Sequence, residues 1–243
     1  MKKVKIRPGR FTELLYSCAV ARGRSRTCAP PSSREADDAS FDWFKTYADI
    51  KNLINRFVPN KDARIVMLGC GNSSAFPFPS FPRFELRLMI RIFTALSRDL
   101  YDDGYKRVEN IDYSEVVIEK MARVNAERSE MTWIVGDVRN LPFEDGSIDV
   151  CIDKGTMDAM MTSKGDVWNP APEVVANVKG EVDEVVRVLK PDGVFLYLTF
   201  GQPHFRRQHL QRPGWKLEVL EVGVDVGFGY FFYVLRREGV AAL

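Results

Sequence analysis

Four short apolar runs in this chain, Arg64–Leu68, Val108–Ile111, Met131–Val135 and Ile148–Ile152, each stop at or just before a glycine or an aspartate. Those stops are Gly69, Asp112, Asp137 and Asp153. Short, mainly apolar runs of this length are what strands buried on both faces of a sheet require. Helical patterns alternate with them. Ser114 is placed to cap a helix carrying Val117, Met121 and Val124 on one face. A second helix puts Val182, Val185, Val186 and Leu189 on one stripe; Pro191-Asp192-Gly193 predicts a turn, and Val194–Thr199 a fifth strand. Strand–helix alternation predicts an α/β fold with a doubly wound, Rossmann-like, mostly parallel sheet. Trp215–Val222 and Gly227–Arg236 have no helix between them and predict an antiparallel C-terminal hairpin, which makes seven strands. Ahead of the sheet, Ile50, Leu53, Ile54 and Phe57 fall at helical spacing before Pro59.

In such a sheet a ligand sits beyond the carboxyl ends of the strands. Gly69 and Gly71 follow the first strand, where glycine lets a backbone turn sharply and approach a ligand. A lone Gly-x-Gly also simply closes strand-to-helix turns. Three acids in sheet order make it more specific: Asp112 is placed to accept from ribose hydroxyls, Asp137 from an adenine amine, and Asp153 lies beside the reacting group. A dinucleotide site would add a third glycine to pack a helix against pyrophosphate. Here Asn72-Ser73-Ser74 follows instead, which favours a cofactor without phosphate.

The motifs Val66–Ser73, Asn110–Ser114, Gly136–Arg139 and Asp153–Asp158 resemble those of class I S-adenosylmethionine-dependent methyltransferases. With Phe41-Asp42-Trp43-Phe44 and Pro203-His204-Phe205-Arg206, the set is similar to the branch holding the elongation factor 1-alpha lysine methyltransferases. That resemblance covers roughly residues 34–73 and 96–238 and implies S-adenosyl-L-methionine as cofactor. It implies contacts from Trp43, Gly69, Gly71, Asp112, Tyr113, Asp137, Val138 and Lys154, with Tyr113 packed on the adenine and Trp43 over it. The methyl acceptor it implies is a protein lysine, on a translation elongation factor. A small-molecule oxygen or nitrogen acceptor, or a degenerate fold that only binds, are the alternatives. Asp153 and Asp158 are the weak candidates for a catalytic carboxylate. Arg206 and Arg207 are candidates for recognising an acidic partner, and His204 and His209 are too far out of phase for a metal pair.

Two departures accompany the resemblance. The family's Tyr-Trp-x-x-Arg-Tyr segment is missing from residues 1–40, which read as a basic, unstructured segment. Residues 1–34 hold nine lysines and arginines against Glu13 alone, which suits a transit peptide or an alternative start. The domain is placed at 41–238. Within it, 41 residues separate Gly71 from Asp112, where about 20 are needed. Joining Ser73 to Leu96 restores the expected loop and helix, so the surplus is Ser74–Ala95, rich in Phe and Pro. That insert is either an aromatic lid or translated non-coding sequence such as a retained intron.

A formal net charge of +2 gives no reason to expect nucleic acid, and no apolar run spans a bilayer. Cys18, Cys28, Cys70 and Cys151 show no ligand spacing and fit a reducing compartment. The expectation is a cytoplasmic monomer, with a mitochondrial location as the alternative from the basic N-terminus.

Overall fold

A computed structural model describes residues 45–71, 96–162, 169–225 and 228–239. Trp43, residues 1–40 and the Ser74–Ala95 insert lie outside the described residues. In chain order the elements are α1 (Tyr47–Phe57), β1 (Ile65–Leu68), α2 (Leu96–Asp102), β2 (Val108–Asp112), α3 (Glu115–Val124), β3 (Thr132–Val135) and β4 (Ile148–Lys154). Then follow α4 (Thr156–Met161), α5 (Pro172–Val188), β5 (Leu189–Thr199), α6 (Pro203–Leu210), β6 (Trp215–Asp225) and β7 (Phe228–Arg237). The sheet has seven strands in the order β3-β2-β1-β4-β5-β7-β6. The first five run parallel and β7 is antiparallel to both its neighbours. Between β1 and β4 the order reverses direction, and a crevice opens there at the carboxyl ends.

Alternation along the strands divides the core. Ile65 and Met67 of β1 pack with Ile50 and Ile54 of α1 and Leu96 and Leu100 of α2 on one face. Val66 and Leu68 face the other way, against Val178, Val182 and Val185 of α5. Because both faces are covered, β1 shows no polar position at all.

Two features depart from the sequence pattern. The buried stripe of α3 is Ile118 and Met121, and Val124 is 45% exposed. Val116, Val117 and Ile118 are consecutive, so the apolar pattern suits two helical phases one residue apart, and Met121 serves both. Pro191-Asp192-Gly193 does not end a strand: Leu189 pairs with Ile148 and Val194 with Val150, which makes the segment a bulge inside β5. The C-terminal hairpin forms as expected, antiparallel at the sheet edge, with β7 between β5 and β6.

Tyr105, which the sequence pattern did not single out, closes α1. Its buried hydroxyl donates to the Val58 carbonyl at 2.6 Å, at the helix C-terminus. The Lys61 ammonium lies 3.8 Å from its ring centroid and pairs with Asp103 at 2.7 Å. Asp103 also accepts from Lys51 and from the Tyr47 hydroxyl, and these donors hold its carboxyl well below the usual carboxylate range. Replacing Tyr105→Phe leaves the buried Val58 carbonyl without this donor, so urea unfolding should show a loss of about 1–3 kcal/mol at unchanged m. An unchanged midpoint would remove Tyr105 as the stop of α1.

Candidate active site

The loop after β1 turns twice through left-handed backbone, at Gly69 (φ 63°) and Gly71 (φ 57°). The two glycines are needed for different reasons. A Cβ on Gly69 would lie 2.1 Å from Thr156 Oγ1, whereas one on Gly71 would, among the described residues, meet nothing nearer than the Gly69 carbonyl at 3.9 Å. Gly69 is thus fixed by contact with α4, and Gly71 by its left-handed turn. Thr156 completes the contact by donating to the Leu68 carbonyl at 2.7 Å.

Asp112, at the end of β2, is drawn to this loop. Its Oδ2 accepts from the Gly71 N–H at 3.0 Å and its Oδ1 from the Ser114 N–H at 2.9 Å. Only 6% of the residue is exposed, yet an ionised carboxylate has about four acceptor positions and two remain. Tyr113 follows, 75% exposed at the rim. Asp137 meets its own neighbour: both its oxygens accept from the Arg139 guanidinium, at 2.6–3.1 Å, and that pairing holds the carboxyl below its ordinary range. The Val138 side chain packs into the core, which leaves its backbone for a ligand. Lys154 ends β4, half-buried. Cys70 lies inside the loop, and burial pushes its thiol up to about 12, so it is held as a thiol. The structure therefore brings Gly69, Gly71, Asp153 and Asp112 with Tyr113 to adjacent strand ends, and Asp137 follows β3, the next strand out.

Neither candidate catalytic carboxylate is accessible. Asp153 is 0% exposed and accepts from the Thr156 and Met157 N–H groups at 2.6 and 2.9 Å, which secures the start of α4. Asp158 is buried against Arg206, whose Nη2 donates to Asp158 Oδ1 at 2.6 Å. This corrects the placing of Arg206 as a recognition residue; Arg207 is exposed. His204 is exposed on α6 with its ring centroid 4.0 Å from that of Phe205. His209 is buried, and burial with Arg206 and Arg212 nearby lowers its pKa, keeping it neutral.

Sequence reasoning missed Glu181. It lies three residues after Val178 and four before Val185, so the spacing of α5 already put it on the buried stripe. Among the described residues no donor reaches either of its oxygens. Burial, then the charge of Asp153, raises the Glu181 pKa well above the usual range, and burial pushes Asp153 up to about 7. The charge of Asp153 thus favours the protonated form of Glu181.

The methyltransferase domain family matches residues 93–197. The chain is 35% identical over 204 residues to EEF1A lysine methyltransferase 4 of Bos taurus, covering 83% of this chain and 71% of that one. The Mus musculus protein of the same name is 33% identical over 202 residues with the same coverage. Among solved structures, N-methyltransferase NodS from Bradyrhizobium japonicum WM9 in complex with S-adenosyl-L-homocysteine is similar, with a TM-score of 0.53. That likeness covers 79% of this chain and 86% of that one at 12% identity, and it speaks to fold alone.

Two outcomes follow from this geometry. Gly69→Ala carries both a left-handed φ and a clash, so it should destabilise the protein more than Gly71→Ala, which pays about 1–3 kcal/mol for φ alone. Thermal denaturation of the two variants checks this, and equal losses would contradict the Gly69–Thr156 contact. For the carboxyl pair the native state holds a proton more tightly than the unfolded chain, whose carboxyls titrate near pH 4. Its contribution to stability is therefore full below about pH 4 and declines as pH rises towards 7. Glu181→Gln should flatten melting temperature across that window, and a slope like that of the wild type would show that the pair does not titrate there.

Proposed function

The chain belongs to the class I S-adenosylmethionine-dependent methyltransferases, in the family of the EEF1A lysine methyltransferases, and we propose that it methylates a protein lysine, with elongation factor 1-alpha as acceptor. The observation that supports this acceptor is the extent of likeness to EEF1A lysine methyltransferase 4, 35% identity across 83% of the chain.

The residues present suit the cofactor. Among the described residues Asp112 keeps two acceptor positions beside Gly71, which is the donor-to-carboxylate arrangement a ribose diol needs. Gly69 and Gly71 let the backbone approach, Tyr113 offers a flat exposed ring for the adenine, and Asp137 stays ionised as an acceptor for its amine. Val138 contributes backbone, Lys154 a positive charge suited to the cofactor's carboxylate, and Trp43 completes the set from outside the described residues. The cofactor supplies an electrophilic methyl on a sulfonium, transferred by in-line displacement.

What the protein adds is placement and exclusion of water. A lysine must arrive neutral to attack. Asp153 and Asp158 are buried, so neither takes that proton directly. Desolvation of the entering ammonium lowers its pKa and releases the proton to solvent.

The test is incubation with labelled cofactor and purified elongation factor 1-alpha, followed by mass spectrometry of the labelled peptide. A methylated lysine is expected. Asp112→Ala should weaken cofactor binding by calorimetry at least tenfold, about 1.4 kcal/mol, and lose the transfer. Label confined to small molecules would move the acceptor to that class; stable folding with cofactor bound and no transfer would leave a binding module.

A further inference from the structure

Behind the acceptor side of the crevice lies a buried ion pair that cofactor binding does not use. Asp158, on α4, is 1% exposed, and its Oδ1 collects the Tyr197 hydroxyl at 2.8 Å and the Thr199 hydroxyl at 2.8 Å. The same oxygen takes Arg206 Nη2 at 2.6 Å and Nε at 3.2 Å. From there the network reaches the turn after β5. Thr199 Oγ1 accepts from the Gly201 N–H at 2.7 Å, and the Gly201 carbonyl accepts from the Tyr233 hydroxyl at 2.8 Å. Arg206 presses on the turn itself, because a Cβ on Gly201 would stand 2.4 Å from its Nε.

The placing of these groups gives them a role. Gly69, Asp112 and Asp137 occupy the ends of β1, β2 and β3, so the half of the crevice left for an acceptor lies beyond β4 and β5. Its walls are α4 and the turn leading into α6. One end of α4 is fixed to the cofactor loop by Thr156, and its middle to α6 by Asp158. A buried ion pair is weak as a stability device, since removing two charges from water costs nearly what their attraction returns. A guanidinium fork on one oxygen is instead strongly directional.

We propose that Asp158 and Arg206 are positioning residues for the methyl acceptor, locking the turn at Gly201 and helix α6 to the helix that also touches the cofactor loop. This rests on the methyl-transfer function above.

The experiment compares full-length wild type with Asp158→Asn, Arg206→Lys and the double variant Asp158→Leu/Arg206→Met. The double variant removes both charges together and so avoids stranding one in the core. Cofactor Kd is measured by calorimetry, kcat and KM on elongation factor 1-alpha, and amide exchange at Gly201 by NMR. The expected result is a cofactor Kd within about threefold of wild type throughout, because Gly71 and Asp112 are untouched. Asp158→Asn and the double variant should lose at least tenfold in kcat with a smaller change in KM, as misplacement of reacting groups does. Gly201 exchange should quicken in both, and Arg206→Lys should recover part of the loss. A double variant with wild-type kcat overturns the proposal, as does a fall in cofactor affinity parallel to kcat, which would make the pair a general scaffold element. A wild type that binds cofactor and transfers to no acceptor overturns both the proposal and the function it rests on.

Discussion

At the carboxyl end of the sheet, the loop after β1 and the helix after β4 come together with no side chain between them on the loop's side. Gly69 lies against Thr156, and Thr156 returns a hydrogen bond to the end of β1. This contact lies where the strand order reverses, and both halves of the crevice are measured from it. Gly71 can turn into Asp112 because Gly69 has already brought the chain down onto α4. Asp153, one strand across from Leu68, then fixes the start of α4 through two backbone N–H groups.

The polar interior behind this contact is unusual in its charge. Asp153, Asp158 and Glu181 are all buried, and Arg206 pairs with Asp158. Burial raises the pKa of both Asp153 and Glu181, which favours the protonated form on that side. Asp158 with Arg206 serves the turn at Gly201, and Asp153 serves the start of α4. Glu181 meets no donor among the described residues, and all three carboxyls are buried.

Much of this was legible in the sequence, for identifiable reasons. The strands stood out because short apolar runs ended in Gly or Asp, and Asp112 and Gly71 were found by order and spacing. The phase of α3 was not legible, since Val116-Val117-Ile118 suits two registers and only packing against β2 and β3 selects one. Pro191-Asp192-Gly193 signals a break wherever it occurs, and pairing on both sides turned that break into a bulge. Arg206 looked like a surface residue because its partner lies 48 positions away. Glu181 was readable from helical spacing alone, though a carboxylate among valines invites no such reading.

The insertion of β7 between β5 and β6 sets an order on synthesis. When the ribosome has finished β5, that strand carries Phe195, Leu196, Tyr197 and Leu198 along an unpaired edge, and its permanent neighbour begins at Phe228. Tyr233, the residue that seats Gly201, emerges later still. The cofactor half of the crevice is encoded entirely upstream of the acceptor half's last fastening. A nascent chain thus passes through an interval with a formed glycine loop, an open apolar edge and no fixed acceptor wall, and in that interval it has most to gain from a chaperone.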